Sequence, residues 1–148
     1  MSYAPFDPDL AIAQLAPLVG AGTLRQVQGA ADYAAVKSLR DFSPPCAFVL
    51  LAREKGQLDK GNTSGRQLAT VTLGVVVAVR NYRASERGYQ AKDALNAVLA
   101  QVRAALMGWI PPLPGGRPTQ FVQGDLVQYD QATLLWTDVF QTQHFLMP

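Results

Sequence analysis

The chain has 148 residues, 49% of them hydrophobic and only 16% charged, with 13 Lys and Arg against 11 Asp and Glu, one His and one Cys. That length suits one domain spanning 1–148, and its apolar content excludes intrinsic disorder because enough surface can be buried to offset the entropy of ordering. A lone cysteine excludes an internal disulfide framework, one Cys with one His cannot build an ordinary structural zinc site, and a net charge of +2 gives no bulk reason to bind nucleic acid.

Soluble domains usually carry about 25% charged residues. A fraction of 16% therefore predicts that part of the surface is covered, and an oligomer is the expectation. The first residues, Met1-Ser2-Tyr3-Ala4-Pro5-Phe6-Asp7, lack the basic start and apolar run of a secretory signal, so a cytoplasmic site is expected. The longest apolar run, residues 73–79, falls far short of the ~20 residues of a membrane-spanning helix.

In chain order, residues 9–19 place Leu10, Ile12, Ala13, Leu15, Ala16 and Val19 at helical spacing, with Asp7 or Asp9 as cap and Gly20-Ala21-Gly22 as stop. Residues 24–28 alternate as a short strand, and 30–39 have helical composition with Tyr33, Val36 and Leu39 available for packing. After the breaker cluster 41–45, residues 46–53 read as a strand apolar on both faces, hence interior to a sheet. A polar segment, 54–64, leads to a long alternating strand over 67–81 that would reach about 50 Å at ~3.3 Å per residue. One core does not need that length, so these two strands are expected to form a long hairpin projecting from the body. Residues 86–107 make the strongest helix, with Ala91, Leu95, Val98, Leu99, Val102 and Leu106 on one stripe, Ser85 as N-cap and Gly108 as stop. The segment 108–118 holds four prolines and must be loop. Two strands close the chain: 119–129, bulged or turned at Gly124-Asp125, and 133–145, joined by a turn at Asp130-Gln131. The expected class is α+β, a mixed and mainly antiparallel sheet with helices on one face, in the order α-β-α-β-β-α-β-β.

No catalytic constellation emerges. Cys46 opens a strongly apolar strand and reads as core, while His144 has no carboxylate among its sequence neighbours and reads as a solvated or interface histidine. Asp125 and Asp130 occupy turn positions that favour Asp for local backbone hydrogen bonds. Asp138 alternates with Trp136 and Phe140 on one strand face, so it lies at a sheet edge, pairs with an arginine or belongs to an interface. Gly115-Gly116-Arg117 and Gly20-Ala21-Gly22 lack the context of a phosphate-binding loop.

Two clusters of charge stand out. Residues 53–66 hold Arg53, Lys55, Lys60 and Arg66 against Glu54 and Asp59, an excess equal to the chain's whole net charge. This polar loop is either a solvated tip or a contact surface, with Lys55, Asp59, Lys60 and Arg66 as its candidate interface residues. Arg80, Arg83, Arg87 and Lys92 with Tyr82 and Tyr89 form a second basic group, without the alternation of aromatic and basic residues that nucleic-acid binding favours.

The pattern as a whole resembles the bacteriophage tail terminators, in particular the small family of Mu-like and related tailed phages and prophages. The resemblance rests on the long helix ending in Leu106-Met107-Gly108-Trp109-Ile110-Pro111, the proline loop, Phe121-Val122-Gln123-Gly124-Asp125, and Leu135-Trp136-Thr137-Asp138-Val139-Phe140-Gln141-Thr142, and it covers roughly residues 8–146. It implies a structural protein without an active site: a hexameric ring in the virion tail or neck, assembled in the bacterial host cytoplasm, that caps the tail tube, ends its polymerisation and offers a surface to the head. The implied partners are identical subunits, the tail tube protein and a head-tail connector protein, with DNA only passing through the lumen and no membrane. Trp109 would then pin the proline loop, and Trp136 and Phe140 would sit in the sheet core. Two other readings stay open: another neck or head-completion protein, and a small enzyme or ligand-binding domain using Asp138 and the proline loop.

Overall fold

In a computed structural model, which describes residues 2–80, 88–130 and 132–148 and the side chains of these except at 40 and 88–92, the first apolar stripe becomes two helices. α1 (Asp9–Leu15) and α2 (Pro17–Gly20) meet at Ala16. Pro17 has no N–H to donate back to Ala13, so one continuous helix cannot form. The Asp7 carboxylate accepts the Asp9 N–H at 2.9 Å, as expected of a residue that opens a helix.

β1 (Gln26–Gln28) precedes α3 (Ala30–Ala35), which stops four residues short of the expected end. Val36 is extended, and the Asp41 carboxylate takes the N–H groups of Lys37 and Ser38, each at 3.2 Å, nucleating a separate 3-10 turn at Leu39–Asp41. Local side-chain acceptors thus outcompete continuation of the helix. β2 (Cys46–Gly56), β3 (Gln67–Arg80), α4 (Gly88–Leu106), β4 (Gln120–Tyr129) and β5 (Thr133–Leu146) follow in the expected order. The expected cap Ser85 and the residues of the basic group at Tyr82, Arg83 and Arg87 lie outside the described residues, as do the side chains of Tyr89, Ala91 and Lys92.

The five strands form one sheet in the order β1-β2-β3-β5-β4, parallel only between β1 and β2. Alternation along β3 sends Ala69, Val71, Leu73, Val75, Val77 and Val79 to one face, where α1 and α4 cover them. Leu95, Val98, Leu99, Val102 and Leu106 of α4 close this core together with Phe6, Ala11 and Leu15. Gln14 ties the two helices by donating from Nε2 to the Ala105 carbonyl at 2.9 Å. α1 and α4 thus lie on a single face as expected. The short α3 and the 3-10 turn cap the other face at one end, where Tyr33, Phe42 and Phe48 meet with ring centroids 5.5–6.2 Å apart over Cys46, Val76, Ala78 and Leu135.

The long strand is real, at 14 residues, but it does not stand out from the body with β2 as an arm. β5 pairs with β3 over its whole length, from Gln67↔Leu146 to Arg80↔Thr133. Ala69 and Val71, at the far end, are fully buried. The projection is confined to the loop 57–66. The proline segment contributes to this end of the sheet. Beyond the end of β4 it runs along β5, with the Phe145 N–H donating to the Pro114 carbonyl at 2.7 Å and the Arg117 N–H to the Gln143 carbonyl at 3.1 Å. Gly115 sits at φ +66°, and a Cβ there would clash with the edge of the Phe145 ring. Trp109 anchors the start of the segment, its carbonyl accepting the Thr119 N–H at 2.8 Å.

Candidate functional site

The loop 57–66 is built from its own polar side chains. Asp59 accepts the Gly61 N–H at 3.0 Å, Asn62 accepts from the Ser64 N–H at 3.1 Å and its hydroxyl at 2.8 Å, and Ser64 accepts the Arg66 N–H at 3.2 Å. Such Asx and Ser turns replace strand hydrogen bonds at the hairpin's end. Tyr3 fastens the loop to the N-terminal segment by donating to the Gly65 carbonyl at 3.0 Å.

Of the four candidate interface residues, Lys55 and Lys60 are exposed cations, Asp59 shapes the turn, and the Arg66 guanidinium lies 4.5 Å from the Phe145 ring centroid. Leu58, which carries no signal in the alternation pattern, is 89% exposed at the tip. Leu58 and Lys60 are thus both exposed on a loop held by its own hydrogen bonds, with Lys55 exposed near the end of β2. An open cleft of about 430 Å³ runs between this loop and Phe145.

Asp138 is fully buried and pairs with an arginine, one of the alternatives open in the sequence. Arg103 of α4 donates from Nε at 2.7 Å and Nη2 at 2.8 Å, and Trp136 Nε1 donates to the same carboxylate at 2.8 Å. The hydrogen bonds to Asp138 raise the Arg103 pKa further above its ordinary value, against the opposing effect of burial. The guanidinium also stacks 4.4 Å from the Phe121 ring centroid. Gly124 lies opposite Asp138, and a Cβ there would come within 2.8 Å of both the carboxylate and the Trp136 ring. This explains the glycine: it leaves room for the ion pair. The bulges of β4 fall elsewhere, between Phe121 and Gln123 and between Leu126 and Gln128, correcting the expected position at Gly124-Asp125. Held by three donors, from Arg103 and Trp136, Asp138 ties α4 to the sheet.

His144 is buried rather than solvated. It hydrogen-bonds with Glu54 at 2.7 Å, and Phe6 packs edge-on at 5.8 Å while its N–H donates to the same carboxylate at 3.1 Å. Sequence neighbours could not reveal this partner, because it arrives across the sheet. A bulge at Ala52 shifts the alternation of β2, turning Arg53 to the open face and Glu54 inward. Cys46 lies level with Leu135, nine residues from His144 along β5, or about 30 Å away. Burial pushes its thiol up to about 11, so no thiolate dyad exists. Among the described residues, no three His, Cys, Asp or Glu side chains are grouped as metal ligands.

Tyr3, Val19, Met107 and Ile110 are exposed at scattered positions, and a further group lies on β4. Val122, Leu126, Val127 and Tyr129 are 46–52% exposed on the outermost strand, a surface missed in the sequence because the bulges break its alternation. Among the described residues the two ion pairs, Arg103–Asp138 and His144–Glu54, are structural, and the exposed apolar side chains lie on the loop tip, on β4 and at scattered positions elsewhere.

A family model described as phage tail terminator protein matches residues 1–147. No curated protein matches the chain. Among 32 matching chains of solved structures, one from the virion of a native gene transfer agent particle is 20% identical, with a TM-score of 0.52 over 90% of each chain. At that identity the likeness is one of fold.

Proposed function

The chain belongs to the phage tail terminator family, and from that premise we propose that it acts as a single-domain ring of identical subunits, six in number, on the end of the tail tube. There it stops addition of further tube subunits and presents the surface to which the head, through its connector, is joined. It is a structural protein of the phage tail, and the proposed role requires binding surfaces rather than a reaction.

The observation that carries this reading is the family match across nearly the whole chain. The low charged fraction and the exposed apolar residues of β4 support self-association, since identical neighbours would cover them. Within the ring we assign the loop 57–66, through Asp59, Lys60 and Arg66 and with the adjoining Lys55 of β2, to contact with a neighbouring subunit or the tube. The relative from the gene transfer agent particle shows that this fold occurs in a virion. Light scattering over a concentration series, alone and with tail tubes, tests the ring: a six-fold mass on the tubes or free in solution is expected. A monomer under both conditions contradicts it.

A further inference from the structure

The sheet ends in two outer strands of different character. On one side β1 shields β2 only at Cys46–Phe48, leaving residues 49–56 without a neighbouring strand on that side among the described residues. On the other, β4 is outermost along all ten of its residues. Natural edges are usually guarded by Lys, Pro, bulges or shortness. β4 has two bulges but neither Lys nor Pro, its one charge is Asp125, and four apolar side chains are about half exposed on it. The free stretch of β2 presents exposed Arg53 and Lys55.

β2 runs parallel to β5 and opposite to β4. A second copy set beside the first with the same strand sense therefore brings its β2 antiparallel to β4. Because β1 blocks residues 46–48, the incoming β4 has to slide along the strand direction. Within one sheet Asp125 is level with Phe48, through Thr137 and Val76, so a slide of about five residues carries it to Arg53. The same slide brings Val127 near Leu51 and Gln123 near Lys55.

We propose that β4 of one copy docks antiparallel on residues 49–56 of β2 in the next, with Asp125 against Arg53. This rests on the ring reading above and names its seam. Joining two unlike edges is a head-to-tail contact, which repeats around a ring until it closes. Charge sets the choice of edge: β4 against β4 would oppose Asp125 to its own copy, and β2 against β2 would crowd Arg53 and Lys55 against theirs.

The test is a chain carrying both Arg53→Cys and Asp125→Cys, oxidised under assembling conditions and run on a non-reducing gel. Inside one chain the two positions are three strand spacings apart across the sheet, about 14 Å, and about five residues, ~17 Å, apart along it, far beyond the Cα separation of under ~7 Å that a disulfide requires. Any bond must therefore join copies, and Cys46, buried with a raised pKa, stays silent. A ladder of covalent multimers from the double variant, absent from either single variant, is expected. Assembly by light scattering without that ladder overturns the seam and leaves the ring reading standing, whereas monomer throughout, with and without tubes, overturns both. Crosslinking to a different chain overturns the seam as well. Charge reversal gives an independent readout: Arg53→Asp or Asp125→Arg alone should weaken assembly roughly fivefold and the pair together should restore it. Failure of the pair to recover counts against the proposal.

Discussion

Replacing Arg103 by Met probes the best-defined polar feature of the fold. The substitution keeps the length that packs beside Phe121 but removes two charge-assisted hydrogen bonds, at 2.7 and 2.8 Å, from a carboxylate with no solvent exposure. Asp138 would keep only the Trp136 donor at 2.8 Å. Breaking a buried pair from one side costs about 3–5 kcal/mol, and because the Arg103 side chain is 34% exposed and water can reach the vacated space, the lower end applies, about 3 kcal/mol. For a chain of 148 residues that corresponds to a loss of roughly 6–12 °C in Tm. Thermal and urea denaturation followed by circular dichroism measure it. Asp138→Asn should cost less, about 1–3 kcal/mol, since the freed arginine can hydrate while the amide still accepts one bond. A loss below about 1 kcal/mol for Arg103→Met would refute the assignment of the pair as the tie between α4 and the sheet.

Other consequences are open to measurement. Gly124→Ala should destabilise by about 1–3 kcal/mol, because its Cβ meets the Asp138 carboxylate and the Trp136 ring at 2.8 Å; chemical denaturation reports it, and an unchanged midpoint contradicts the packing. Neutralising Lys55, Lys60 and Arg66 together should leave Tm within a few degrees but weaken assembly and flatten its salt dependence, read by light scattering across ionic strength; unchanged assembly means that the loop is only solvated. The Cys46 thiol should resist a thiol reagent at pH 8 until the chain unfolds, and labelling of the folded protein within seconds argues against its burial. Its folded pKa of about 11 lies above the ordinary 9.0, so the unfolded chain releases the proton first: the stability this group contributes is complete below pH 9 and is lost as pH rises toward 11. Cys46→Ala should remove that component of the alkaline loss, as seen by denaturation at pH 8 and pH 10.5.

The sequence specifies the framework wherever one period runs uninterrupted. β3 alternates without a break, its odd positions 69–79 all meeting the core under α1 and α4, and α4 keeps one stripe toward that same core. Readings failed where local chemistry overrode the period: Pro17 cut a helix, and Asp41 captured N–H groups that would have continued another. The partners of Asp138 and His144 were illegible for a different reason. Arg103 is 35 residues from Asp138 and Glu54 is 90 from His144, and only the register of β5, with the bulge at Ala52, brings them together. That bulge also turns Arg53 outward and thereby creates the charge on the free β2 edge. The candidate loop was visible as a concentration of charge, but Leu58 at its tip and the apolar edge of β4 became visible only when the strands were placed.

The claim that this chain ends tail growth is tested most directly by the length distribution of tails, measured by electron microscopy, from a phage or prophage lacking its gene. Tubes of irregular, extended length without heads, restored to uniform length by the wild-type gene, are expected. Tails of normal length joined to heads in its absence would contradict it.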